Sequence, residues 1–347
     1  VQNEVSITVN GLKYTGWQTV NIKRTMEAIS GSFSLTATSI PDEYESIPTI
    51  KPGSKSSVFI GTDIVLTGYI DEIFVNYDSH NHNITINGRD KSADLVDCSV
   101  TNTPGSWSNQ TITQIAKELL SPFGIPVEEK VTVNTIESHS ADQGETVFEC
   151  LEKAARKTGV LLVSDGEGGI VITRVGNQRA SESLEQGKNI KSLSAKFSHK
   201  DRFSRYIIKG LKTGNDEQWG EKTNQFAEVS DSAIKRFRPL IINAETQVDE
   251  KSCQDRANWE KTVREARSSK ITVAVQGWRQ KDGRLWKPNL LTNISSPWAN
   301  LDNDMLISAV TFSKDHNGTV TILELTNPSA YKLQSTSNTS NTKDLGW

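Results

Sequence analysis

Cysteine is scarce in this chain of 347 residues. Cys98, Cys150 and Cys253 stand far apart, which fits neither a disulfide framework nor the paired ligand spacing of a zinc site. Thiols without such a pattern point to a reducing compartment, at least during folding. All three are expected to be reduced and buried or partly buried, since a free thiol packs as a small hydrophobe. An excess of one charge is also missing. Thirty-nine Lys and Arg against 42 Asp and Glu leave a net charge of −3, and the pI is about 6.1. That balance gives no nucleic-acid or membrane-surface signal. Long apolar runs are absent: mean hydropathy is −0.48, and no stretch approaches the roughly 18 residues needed to span a bilayer. Stable membrane insertion is therefore not expected. The start, Val1-Gln-Asn-Glu-Val5, has no basic region and no apolar core, so it is not expected to be a signal peptide. G-x-S-x-G, H-E-x-x-H and Walker A patterns do not occur. Catalytic, cofactor-binding and metal residues are accordingly assigned as none.

What the sequence does contain is a repeat. Asp63 to Ser99 reads as a long β-hairpin, with Ile64, Leu66, Ile70, Phe74, Ile84 and Ile86 punctuating polar residues and turn chemistry from Asp78 to Asn83. Ile307 to Pro328 echoes it. Ile70, Ile73, Val75 and Asp78 correspond to Ile307, Val310, Phe312 and Asp315 at a constant offset (307 − 70 = 237). Lys51-Pro52 corresponds to Lys287-Pro288, and Phe33-Ser-Leu-Thr-Ala to Ser269-Lys-Ile-Thr-Val, both at an offset of 236 (287 − 51). Self-similarity over three blocks implies one β-module used twice.

The expected class is α+β, mainly β: two similar β-barrel-like domains with small α+β material inserted. Residues 1–99 form the first β-domain, with a turn at Asn10-Gly11. Residues 100–187 form a small α+β domain. Its first helix begins with a capping box at Thr111 and Gln114, buries Ile112, Ile115, Ala116 and Leu119, and ends at Pro122. A second helix over about Glu145–Thr158 places Val147, Cys150, Leu151 and Ala154 on one face, with Gly159 following it. Residues 188–213 and 268–330 form the second β-domain. Residues 214–267 form a loop and helix insertion: Asn215 to Asp231 reads as an exposed loop, and Asp249 can cap a helix to about Arg267. The tail, 331–347, is Ser/Thr/Asn/Lys-rich and expected to be flexible.

Several clusters invite a chemical reading and each has a plainer one. Asp78, His80 and His82 fall at a hairpin tip, where polar residues belong in any case. Asp302-Asn303-Asp304 lacks the remaining ligands of a calcium loop and reads as a turn before a strand. Asp165-Gly-Glu-Gly-Gly169 precedes a strand, whereas a phosphate cradle precedes a helix. Asp71 and Glu72 are neighbours on a strand and point to opposite faces, so they cannot flank one glycosidic bond. Arg256, Lys261, Arg264 and Arg267 are interleaved with Asp255, Glu260 and Glu265, which suits a solvated or subunit-facing helix. Trp278 and Trp286 bracket a Lys-Asp-Gly turn and read as a hairpin filling core space, although Trp also favours interfaces.

Six stretches together resemble one family. They are Tyr14-Thr-Gly-Trp17, Gly68-Tyr-Ile-Asp71, Gly88-Arg-Asp-Lys-Ser-Ala-Asp-Leu-Val-Asp-Cys-Ser99, Glu145-Thr-Val-Phe148, Arg236-Phe-Arg-Pro239 and Gly277-Trp278 through Leu291. In this order they resemble the baseplate hub, or tail, proteins of Mu-like contractile-tailed bacteriophages, within the wider late control gene D family. The resemblance implies a non-enzymatic homotrimer whose six β-domains form a pseudo-sixfold ring. Such a ring joins the sixfold tail tube protein to the trimeric spike protein and meets other baseplate proteins. DNA or the tape protein would pass through its channel without specific binding. The implied location is the virion tail baseplate, with assembly in the host cytoplasm. No long β-helix repeat follows the polar tail, so the spike needle is expected to be a separate protein. The alternatives are the base of a type VI secretion-like or tailocin spike, or a cell-wall hydrolase.

Overall fold

The computed structural model describes residues 3–38, 50–79, 82–102, 104–176, 178–211, 224–243 and 250–331. His80, Asp249, most of the region 215–231 and nearly all of the tail therefore lie outside the described residues.

The first β-unit contains β1 (Val5–Val9), β2 (Leu12–Tyr14), β3 (Thr19–Thr25), β4 (Ser32–Thr38), β5 (Lys55–Ile60), β6 (Asp63–Tyr77) and β7 (His82–Asp90). Asn10 and Gly11 both take positive φ, 50° and 85°, as the tight β1–β2 turn requires. The short helix α1 (Ala93–Asp97) leads into β8 (Ser106–Thr111), α2 (Ile112–Leu120), β9 (Val127–Glu129), β10 (Thr135–Ser140), α3 (Val147–Thr158), β11 (Leu161–Ser164) and β12 (Ile170–Thr173). Both longer helices start with complete capping boxes, Thr111 with Gln114 and Thr146 with Glu149. Gly159 ends α3 in the left-handed region. Their apolar faces form one core with Trp107, Ile125, Ile136 and Ile172.

The chain then runs through β13 (Gln178–Arg179), β14 (Leu184–Glu185) and β15 (Ile190–Phe197). A small parallel-and-antiparallel sheet follows, β16 (Arg205–Leu211), β17 (Asn224–Ser230) and β18 (Pro239–Asn243), covered by α4 (Glu250–Arg267). The loop expected over Asn215–Asp231 is thus corrected: Asn224–Ser230 is a strand paired along its whole length with β16. The second β-unit closes with β19 (Ser269–Gln276), β20 (Leu290–Ser296), β21 (Leu301–Asp315) and β22 (Gly318–Thr326).

The two units are not separate closed barrels. They share one open 14-stranded sheet, along which the order runs β15-β19-β22-β21-β3-β4-β7-β6-β5-β1-β2. The seam is the antiparallel pair β21–β3, in register from Ala309 opposite Thr25 to Lys314 opposite Val20. Glu324 on β22 takes ion pairs from Lys23 on β3 at 3.2 Å and Lys270 on β19 at 2.6 Å. One hydrophobic core underlies both units, from Ile7, Leu35 and Ile60 to Val310, Phe312 and Leu325.

The repeat is explicit in the register. β6 and β21 are each 15 residues long. The β6–β7 ladder shifts between Ile70 and Glu72, and the β21–β22 ladder shifts between Ile307 and Ala309, both at an offset of 237 (307 − 70). Gly53 N–H donates to the Ile70 carbonyl at 2.7 Å, and Asn289 N–H donates to the Ile307 carbonyl at 2.9 Å. Gly53 and Asn289 both sit at positive φ, directly after Lys51-Pro52 and Lys287-Pro288. The third block needs correction. Phe33 lies opposite Gly88 and Ile271 opposite Leu325, so Phe33 corresponds to Ile271 rather than to Ser269. A two-residue slip keeps the same side chains facing inward, which is why alternation alone does not fix it.

Candidate interaction surface

The stretches that carry the family resemblance build a joint. Gly68 and Gly88 sit where β6 and β7 approach most closely. A Cβ at Gly68 would overlap the Arg89 carbonyl, and one at Gly88 would overlap the Tyr69 carbonyl and press on the Phe33 ring at 2.5 Å. That close approach delivers Arg89 and Asp90 to opposite faces of β7. Arg89 reaches Asp71 at 2.8 Å and Asp97 at 2.8 Å. The bonds to Asp97 and Asp71 raise the guanidinium above its ordinary value, and Arg89 in turn lowers Asp97. Asp94 beside them is raised, by burial and by the nearby Asp97 carboxylate. Asp71, Arg89, Asp90 and Asp94 border a cavity of about 350 Å³ that Gly53, Tyr69 and Ala93 also line. Arg89 thus bridges Asp71 and Asp97.

Asp90 faces the interior. Its carboxylate accepts from the Gly31 N–H at 2.9 Å, the Ser164 hydroxyl at 2.8 Å, the Ser92 N–H at 3.1 Å, and the Ser92 hydroxyl. Gly31 belongs to the first β-unit and Ser164 to β11, so one buried carboxylate holds the helical insert against the sheet. Arg24 of β3 adds a second tie, donating to the carbonyls of Ser164 at 3.2 Å and Asp165 at 2.6 Å. The Asp165–Gly169 stretch is the β11–β12 turn, with Asp165 accepting from the N–H groups of Glu167 and Gly169.

The remaining sequence candidates resolve individually. The His82 ring stacks on Tyr77, 6.1 Å between centroids. No metal-ligating group of three or more His, Cys, Asp or Glu occurs among the described residues. Asp302-Asn303-Asp304 is not a turn but the start of β21, paired with Ser295, Ile294 and Asn293. Asp304 binds both guanidinium nitrogens of Arg179 at 2.7 Å. On α4, Glu260 is buried between Arg256 and Arg264, and Glu265 pairs with Arg202 from outside the helix. Trp278 and Trp286 are fully buried. The Trp278 indole N–H donates to the Ser313 and Val320 carbonyls at 3.2 and 3.1 Å.

A thiol and an imidazole meet where sequence reading did not place them together. His139 Nε2 lies 3.3 Å from Cys150 Sγ and donates to the Cys150 carbonyl at 3.0 Å. Both are buried. Burial pushes the Cys150 thiol up to about 11 and, with Lys157 nearby, lowers His139. A nucleophile needs the opposite shift at the thiol and access to substrate, so this is a core contact. Cys98 departs from expectation in the other direction. It is exposed at the extended C-cap of α1, while Cys150 and Cys253 are buried.

What the molecule presents to a partner is edge and surface. Phe74, Val75 and Tyr77 on β6, Phe197 on β15, and Phe226 and Ile241 on the small sheet are exposed. Alternation does not announce them, because they occur in the same patterns as core residues.

Comparison with known proteins turns this geometry into a family. The chain is 35% identical over 337 residues to the baseplate hub protein gp44 of Escherichia phage Mu, covering 94% of this chain and 88% of that protein. The chain belongs to the Mu baseplate hub family. Family models match in chain order: the N-terminal region of Mu phage baseplate assembly protein GpP-like over residues 4–90, the second domain of baseplate hub protein gp44-like over 92–174, and the fourth domain of GpP over 249–334. The 43 kDa tail protein of prophage MuSo2 from Shewanella oneidensis superposes with a TM-score of 0.86 at 36% identity, covering 95% of this chain and 99% of that one. An Escherichia coli type VI secretion component, described as structurally similar to T4 tail proteins gp27 and gp5, shares the fold. Its TM-score is 0.58 at 12% identity, over 93% of this chain and 76% of that one. The hub is thus a mainly β structural component of a Mu-like phage tail baseplate. No described helix is long and apolar enough to cross a membrane.

Proposed function

We propose that the hub is a homotrimer that adapts a sixfold tail tube to a threefold, membrane-piercing spike. The observation that carries this is the shared register of β6–β7 and β21–β22, bulge included, within one continuous sheet. A trimer offers six similar surfaces only if each chain carries one module twice. Cyclic symmetry then closes a ring through heterologous contacts. The β-units would form the ring, as domains over 1–99 and over 188–213 with 268–330. The insert 100–187 and the region 214–267 would lie outside it or at one end. The channel would pass DNA or the tape protein without specific binding, and the obligate interface would bury on the order of 2,000 Å² or more. In this reading the hub assembles in the host cytoplasm and carries no catalytic, cofactor or metal site. Mass photometry tests the stoichiometry: a trimer is expected, and a stable monomer at micromolar concentration refutes the adaptor. A peptidoglycan zymogram tests the non-enzymatic part, and a cleared band would overturn it.

A further inference from the structure

The seam inside the chain is a template, and among the described residues its second instance has no partner strand. Residues 309–314 of β21 pair with β3, on the edge that β20 occupies earlier along the same strand. Their counterparts on β6 are residues 72–77, which lie past the end of β5. Among the described residues no strand pairs with that edge. The counterpart of β3 is β15, because β3 flanks β4 as β15 flanks β19. β15 likewise pairs only with β19 among the described residues. Both open edges carry apolar side chains. Val75 and Tyr77 are 63% and 78% exposed and Phe197 is 60% exposed, whereas Phe312 and Ile22, which face each other in the seam, are 1% and 0% exposed.

We infer that β6 of one chain adds antiparallel to β15 of a second copy, in the register of the internal seam. The register follows from the pairings. Phe312 lies opposite Ile22. Phe312 corresponds to Val75 at the offset of 237 (312 − 75). Ile22 is opposite Phe33 as Ala195 is opposite Ile271, and Phe33 and Ile271 are themselves equivalent. Val75 therefore meets Ala195 of the second copy, Ile73 meets Phe197, and Tyr77 meets Leu193. On the other face Asn76 meets Ser194 and Phe74 meets Lys196.

This register was set by backbone pairing, yet it sorts the side chains. All six residues on the core side are apolar, and Ile73, Leu193 and Ala195 already pack against the main core. A slip of one residue would turn Phe197 and Ala195 to the opposite side from Ile73 and Val75. The joint covers two edges that otherwise invite indiscriminate pairing. It rests on the trimeric reading and supplies its contact: three internal seams and three such joints would alternate around the ring.

Double-cysteine variants test it in a Cys98→Ser background. One carries Val75→Cys with Ala195→Cys, the other Asn76→Cys with Ser194→Cys. Directly opposed pairs alternate between wide and close geometry along an antiparallel ladder, so one of the two is suited to a disulfide. A control, Asn76→Cys with Lys196→Cys, is two residues out of register. With copper phenanthroline as oxidant, at least one matched variant should give a covalent trimer on a non-reducing gel, at least tenfold more than the control. A trimeric particle with no cross-link from either matched pair would overturn the joint and leave the trimer standing. Cross-linking through the control alone would overturn the register. A monomer would overturn both the trimer and the joint.

Discussion

Replacing Asp90 with alanine should loosen the hub at its central joint. Asp90 is buried, and its two oxygens accept four hydrogen bonds from Gly31, Ser92 and Ser164. Alanine leaves the backbone N–H groups of Gly31 and Ser92 without that acceptor. Each unsatisfied buried donor costs about 1–3 kcal/mol. The hydroxyls of Ser92 and Ser164 lose less, because Ser92 Oγ also reaches the Ile29 carbonyl at 2.8 Å. The expected loss is therefore about 3–5 kcal/mol. Urea unfolding at one fixed protein concentration measures it, since association stabilises the folded chain by mass action. Limited proteolysis should find new cleavage between the first β-unit and the insert, because Ser164 sits on the insert side of the joint. Asp90→Asn keeps one acceptor oxygen and should lose less. A change below about 1 kcal/mol for Asp90→Ala, with an unchanged proteolytic pattern, would refute the view that this carboxylate holds the two parts together.

Three further outcomes follow from named contacts. Gly88→Ala should cost about 1–3 kcal/mol or more in urea unfolding, since the added methyl meets a backbone carbonyl and the Phe33 ring with no room to retreat. His139 is lowered from its ordinary 6.5 by burial and by Lys157, so it contributes stability present above pH 6.5 and lost as pH falls through its lowered folded value. The urea midpoint should drop in that window, and His139→Gln should flatten the drop. Iodoacetamide should label Cys98 in the native chain, while Cys150 and Cys253 react only after unfolding; native labelling of Cys150 would contradict its placement in the core.

How much was legible in the sequence depended on how local the cause was. The capping box of α2, Thr111 with Gln114, is a four-residue signal, and the helix starts at it; α3 was legible from its apolar face and from Gly159, and its own box, Thr146 with Glu149, sets its start. The repeated hairpin was legible because its two copies keep the same apolar alternation at one offset, Ile70, Ile73 and Val75 against Ile307, Val310 and Phe312, although Val75 is exposed where Phe312 is buried. β17 was not: among residues 225–230 only Ala227 is buried, and Phe226 is exposed, so the stretch reads like a loop. Asp302–Asp304 looked like a turn because β21 begins with an exposed polar run before its buried half. The seam lay beyond any periodicity, joining Thr25 to Ala309, and the meeting of His139 with Cys150 depends on how β10 lies against α3. Of the interaction surface, the motif residues were visible, but which apolar residues stay outside depends on which strand edges are paired among the described residues, and alternation does not carry that.

The seam also has a mechanical meaning. Two modules joined by a flexible linker would swivel, and a push on one would be spent in rotation before the other felt it. Here the connection is a ladder of six opposed pairs, from Ala309–Thr25 to Lys314–Val20. Glu324 clamps it between Lys23 and Lys270, over a core that runs unbroken beneath both halves. Bending the chain at this point means stretching several hydrogen bonds at once and opening packed side chains to water. Tilting one module therefore drags the other with it. The seam is thus a coupling rather than a hinge: a load on one module reaches the next through paired backbone and shared core.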